Sequence, residues 1–158
     1  MRLGRQTYTI DEALAKLQRY CAYQERCHQE VKQKLASMRM IPQTIDQIIV
    51  SLINEGFLNE ERFTKSYIRG KFQIKKWGKN RLRQELNKRQ VSDYLIDKNI
   101  AEINPKEYIE TFHQLADQKI ASLKTKTTMV AKKKLVDYLV YRGWEYDLVL
   151  DKLKSIPS

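Results

Sequence analysis

The chain has 158 residues, 42% of them hydrophobic, and 30 Lys or Arg against 19 Asp or Glu give a formal net charge of +11. That apolar content suits one medium domain or a few small units sharing a core and excludes a disordered tail, while the charge calls for an acidic partner: nucleic acid, an anionic membrane or an acidic protein surface. No run of about 18 apolar residues is present to span a membrane, and MRLGRQTYTIDEA lacks the apolar centre of a signal peptide, so a cytoplasmic protein is expected.

Five Gly, three Pro and almost no strict apolar alternation predict an all-α chain. Thr9 followed by Glu12 has the spacing of a capping box and opens a helix whose apolar face is Leu14, Leu17 and Cys21. Cys27, Val31, Leu35 and Met38 mark a second face. Pro42 suits a first helical position, and Ile45, Ile48 and Leu52, with Ile49 and Ile53 alongside, form the third. Gly56 stands where a left-handed cap is needed. Asn59 with Glu60 and Glu61 restarts a helix, and Asn104, Pro105 and Glu107 repeat that start signal 45 residues later.

These recurrences predict an internal repeat. Leu82, Leu86, Arg89, Val91, Leu95, Ile96 and Ile100 lie at the same offsets as Leu135, Leu139, Arg142, Trp144, Leu148, Val149 and Leu153. The first unit aligns if one residue is inserted, through Val31, Leu35, Ile41, Ile45 and Val50. The expected organisation is an N-terminal extension over 1–10 and three tandem three-helix repeats over 11–58, 59–103 and 104–158. Units this small bury modest cores, so stacking into an elongated, curved array is expected. KTKTT, Lys124 to Thr128, reads as a polar loop inside the third unit.

The charge concentrates in the middle. From Arg62 to Arg89 there are eleven Lys or Arg residues and one acid, Glu85, whereas residues 11–59 are balanced at six and six. Glu85 can pair with Arg81 and Arg89 at helical spacing, which leaves Lys75, Lys76, Lys79, Arg83 and Lys88 uncompensated. A solvated helix face is the ordinary reading of basic residues, but charge this dense repels itself and calls for an anionic counterpart. With Leu82 and Leu86 buried, Arg81, Lys88 and the turn from Lys75 to Lys79 project outward. Lys132, Lys133 and Lys134 open the equivalent helix of the third unit, and Lys71, Arg89 and Arg142 complete the candidate binding set. Trp77, just before the helix, could stack on a base, but an aromatic there more often packs between helices, which is also the reading for Trp144 in the third unit.

An enzyme is not expected. His28 and His113 fall in different units, no Gly-rich phosphate loop occurs, and no carboxylate or nucleophile cluster has catalytic spacing. Cys21 and Cys27 fit no common metal pattern and read as half-buried structural thiols, so neither metal nor cofactor is predicted. The basic segment lacks the broad apolar face of a membrane-surface helix. A helix-turn-helix reader is conceivable, but the third helices open with SDYLID and WEYDLV, acidic where base-reading residues should stand. Weak binding to single- or double-stranded DNA without sequence preference remains.

Three segments carry a resemblance. GFLNEERF, Gly56 to Phe63, is similar to a Gly-hydrophobic-Leu-acidic-acidic-x-Arg-Phe signature. WGKNRLRQEL, Trp77 to Leu86, is similar to a Gly-Lys-x-x-Arg-hydrophobic-x-x-Glu-Leu segment, and YQERCHQEVKQKL, Tyr23 to Leu35, fits a first-repeat pattern. Together, and over nearly the whole chain from Asp11 to Leu153, they resemble the RecX regulatory family, bacterial modulators of the recombinase RecA. Asn59 departs from the acid common there, Cys27-His28 replaces small polar residues, and the third repeat is the weakest match. The resemblance implies a curved protein of three helical repeats that docks in the groove of the RecA filament on single-stranded DNA and limits recombinase, ATPase and co-protease activity; a monomer is expected.

Overall fold

The computed structural model describes residues 7–157, so Met1 to Gln6 of the expected extension and Ser158 lie outside the described residues. Among the described residues the regular structure is helical throughout: α1 (Ile10–Tyr23), α2 (His28–Ser37), α3 (Pro42–Asn54), α4 (Glu60–Gly70) with a π-helical turn (Lys71–Lys75) at its end, α5 (Lys79–Lys88), α6 (Asp93–Ile100), α7 (Pro105–Ser122), α8 (Thr128–Tyr141) and α9 (Tyr146–Leu153).

Local chemistry sets most of these boundaries. At α1 the Thr9 hydroxyl accepts from the Glu12 amide at 3.1 Å, and the Glu12 carboxylate accepts from the Thr9 amide at 2.9 Å, which holds the Glu12 carboxyl below its ordinary pKa. Asn59 and Asn104 cap α4 and α7 through their Oδ1 atoms, at 2.9 and 3.0 Å from the amides of Arg62 and Glu107. Pro42 and Pro105 occupy first-turn positions, and Gly56 follows α3 at φ +81°.

The chain divides into two compact units: one runs to Ser66 and includes Arg89–Val91, and the other holds Tyr67–Lys88 and the chain from Ser92 onward. The core of the first unit gathers Leu17, Cys21, Val31, Leu35, Ile48, Leu52 and Leu58 from α1, α2, α3 and the turn after it. That of the second is aromatic, with Phe72, Tyr108, Phe112 and Trp144 among Leu135, Leu139 and Val149. Tyr108 lies 4.7 Å and Phe112 5.4 Å from Trp144, centroid to centroid, at tilted angles favoured by ring quadrupoles.

The three second helices share one ending. Leu35, Leu86 and Leu139 are each fully buried, and four residues after each the backbone turns left-handed: Arg39 at φ +64°, Gln90 at +60° and Gly143 at +90°. The repeats therefore align here with no inserted residue, placing Met40, Val91 and Trp144 at one position and Ile45, Ile96 and Val149 at another. Ile41 and Val50, which the alignment with one inserted residue matches to Val91 and Ile100, are 58% and 54% exposed, whereas Val91 and Ile100 are buried. The corrected register sets Asn99 and Lys152 opposite Ile48. Asn99 donates to the Leu95 carbonyl at 2.8 Å while its Oδ1 is buried without a partner, and the nearly buried Lys152 reaches Asp117 at 2.8 Å and His113 Nδ1 at 3.0 Å.

Candidate functional site

In the second unit, α4 continues through Gly70, which is right-handed (φ −65°), into the π turn. Phe72 anchors that turn in the core. Lys76 then enters the left-handed region at φ +58°, and the Lys71 carbonyl accepts the amides of both Lys76 and Trp77, the latter at 3.3 Å. The widened turn leaves Gln73, Ile74, Lys75 and Lys76 exposed as a basic tip.

Residues distant in the chain hold the start of α5. Its first amides have no intrahelical acceptors, and here the Gly78 amide donates to the Arg142 carbonyl at 2.8 Å, that of Lys79 to the Tyr108 hydroxyl at 2.8 Å, and that of Asn80 to the Gly143 carbonyl at 3.0 Å. Gly78 permits this approach: a Cβ there would stand 2.5 Å from the Gly143 carbonyl oxygen and 2.7 Å from the Trp144 Cα. The buried Trp144 indole donates to the Lys76 carbonyl at 3.1 Å, and the Tyr108 hydroxyl donates to Glu145. Burial, reinforced by that carboxylate, raises the Tyr108 pKa far above its ordinary value. Protein groups thus fill the start of α5, the place where a helix dipole could otherwise hold a phosphate, and side chains are left to bind anions.

Those side chains fall into two groups. Lys75, Lys76 and Lys134 are exposed, and Lys88 is exposed beside Glu85 at 3.4 Å. The others have internal duties. Arg81, expected to project outward, is half-buried: it pairs with Glu85 at 3.2 Å, donates to the Tyr141 carbonyl at 2.9 Å and lies over the rings of Trp77 and Tyr141 at 4.6 and 4.8 Å. Arg83, expected to be uncompensated, pairs with Asp97 of α6. Lys79 sits over the Tyr108 ring at 4.6 Å. Lys71 lies 5.3 Å from the Trp77 ring, Lys133 pairs with Asp137 at 3.1 Å, and Arg142 covers the Tyr138 ring at 3.7 Å while bonding its carbonyl at 3.3 Å. Lys132 is half-buried in the second unit, and Arg89 is half-buried in the first.

Sequence reading singled out Trp77 and passed over Tyr138 and Tyr141. Lys134, Tyr138 and Tyr141 share one face of α8 at helical spacing, with Arg142 four residues beyond Tyr138. That pattern of alternating cations and rings is the signal that could have found them.

The first unit offers a lock rather than a reactive site. Arg62 pairs with Glu25 and donates to the Gly56 carbonyl at 3.0 Å, and Glu60 accepts from the His28 amide at 3.0 Å. Burial pushes the Cys27 thiol up to about 12 and raises that of Cys21 as well, so both are held as unreactive thiols at neutral pH. Among the described residues no group of three His, Cys, Asp or Glu side chains could hold a metal ion, and no helix is long and apolar enough to cross a membrane.

Family models resolve the identity of these segments. The model for the second three-helix domain of RecX matches residues 59–98, and that for the third matches residues 106–153. The chain belongs to the RecX family. A regulatory protein RecX of Vibrio vulnificus is 32% identical over 120 residues, which cover 76% of each chain. One from Bacillus cytotoxicus is 24% identical over 139 residues, 86% of this chain and 52% of the relative, so the chain spans about half the length of that relative. The crystal structure of RecX from Lactobacillus salivarius shares the fold, with a TM-score of 0.80 at 22% identity over 93% of this chain and 96% of that one. In RecX terms, the basic tip and α5 belong to the second three-helix domain, and the groups that clasp them, Tyr108, Arg142, Gly143 and Trp144, to the third.

Proposed function

We propose that this RecX-family chain binds the RecA filament on single-stranded DNA in its groove, inside the cytoplasm, and restrains recombinase, ATPase and co-protease activity without chemistry of its own. Family membership supports the partner. The observation that carries the contact is the exposed Lys75–Lys76 tip, held in place by the clasp around Gly78. Lys71, Lys79, Lys132 and Lys134 extend its positive field, while Arg81, Arg83, Lys88, Lys133 and Arg142 neutralise acids or order rings around it. Adding the purified chain at less than one copy per RecA, while RecA assembles on single-stranded DNA, should slow ATP hydrolysis. Unchanged hydrolysis across a wide concentration range would overturn the proposal.

A second reading, a DNA-binding module that acts without RecA, draws on the same excess of lysine. It requires affinity for free DNA that falls steeply with salt, by a slope set by the phosphates neutralised, and no effect on ATP hydrolysis by RecA.

A further inference from the structure

Between the basic tip and α8 the second unit carries an unbroken alternation of cations and rings. Lys71 lies over Tyr67 at 5.6 Å and Trp77 at 5.3 Å, Tyr67 and Trp77 are 6.4 Å apart, and Arg81 lies over Trp77 at 4.6 Å and Tyr141 at 4.8 Å. On the same face of α8, one turn back, Tyr138 is flanked by Arg142 at 3.7 Å and Lys119 at 4.8 Å. Acids border this strip: Glu85 pairs with Arg81 and Lys88, and Asp137, one turn before Tyr141, pairs with Lys133.

Core packing accounts for Trp144 and Tyr108 but not for Tyr141, which is 69% exposed. Its place is nevertheless fixed. Arg81 donates to its carbonyl, and the next two residues contribute the Arg142 and Gly143 carbonyls that hold the start of α5. Such a ring, on an anchored backbone with one face against a guanidinium and much of its surface open, offers a flat partner a place to settle. Cations beside it leave the surroundings positive. Unpaired bases are flat, sit on a polyanionic backbone and stack on aromatic rings whatever their identity. In a duplex those faces are already stacked.

We infer that this strip is a stacking platform for single-stranded DNA, with Tyr141 as the ring that receives a base and Lys71, Lys75 and Lys76 as the groups that neutralise the adjoining phosphates. The choice of DNA over RNA rests on the proposed RecA-filament function; the stacking itself rests on the geometry.

The test needs no recombinase, so its failure leaves the filament proposal standing. Fluorescence anisotropy with the full chain would compare labelled 15-mers: oligo(dT), an abasic chain of equal charge, a duplex, and oligo(U). Oligo(dT) should bind at least about fivefold tighter than the abasic chain. Tyr141→Ala should erase that difference and keep the salt dependence of the wild type, and Tyr141→Phe should restore it. Equal binding of oligo(dT) and abasic chains, wild-type affinity in Tyr141→Ala, or tighter binding to the duplex or to oligo(U) would each overturn the inference.

Discussion

Gly78 and Gly143 meet backbone to backbone, so that a methyl group on Gly78 would press within 2.5 Å of the Gly143 carbonyl oxygen and one on Gly143 would run into the backbone of Arg81. The contact aligns the Arg142 and Gly143 carbonyls with the first amides of α5. It joins parts of the chain more than sixty residues apart and positions the basic tip.

Alanine at these positions should separate contact from conformation. Gly78→Ala should lose about 1–3 kcal/mol through overpacking. Gly143→Ala should lose more, because its φ of +90° adds a left-handed penalty of about 1–2 kcal/mol. Gly56→Ala meets nothing within 4 Å and should lose the conformational part alone, while Gly70→Ala, right-handed and open, should gain about 0.5–1 kcal/mol. Urea unfolding of the four variants measures the order.

Tyr108→Phe tests the hydroxyl that joins two elements. It removes the acceptor of the Lys79 amide and the donor to Glu145 while preserving the ring packing. A loss of about 1–3 kcal/mol is expected, the range for buried groups left unpaired. Near-neutral stability would mean that water replaces the hydroxyl.

Burial of Cys27 makes stability fall in alkali. Its thiol pKa rises from 9.0 to about 12 on folding, so the fold favours the protonated form. Its stabilising effect is complete below pH 9 and is lost as pH climbs from 9 to 12, by up to about 4 kcal/mol. Tyr108, raised above 10.0, adds loss of the same sign above that pH. Cys21, raised by burial as well, adds loss of the same sign, so the stability of Cys27→Ala from unfolding curves should decline less steeply than that of the parent between pH 9 and 10.

Helices were legible in the sequence because caps and apolar spacing are local. Thr9–Glu12, Asn59 and Asn104 act as their residue types suggest, and Leu82, Leu86, Leu135 and Leu139 are buried as their spacing predicts. The turns after α2 and α5 were not, because Arg39 and Gln90 take the left-handed conformation without being glycine. Hidden too was the clasp: carbonyls of distant residues supply it, and a carbonyl leaves no side-chain pattern. Arg81 misled for a related reason. Its partner Tyr141, 60 residues on in the chain, is set by the tertiary fold rather than by helical spacing.

The most direct measurement compares the parent with Lys75→Glu/Lys76→Glu in ATP hydrolysis by RecA on single-stranded DNA. Both lysines are exposed, so helix content by circular dichroism should be unchanged. Inhibition should weaken at least about tenfold, because two attractive charges become two repulsive ones at a polyanionic surface. A reversed protein that keeps its fold and inhibits as strongly as the parent would contradict the assignment of the basic tip as the contact with the filament.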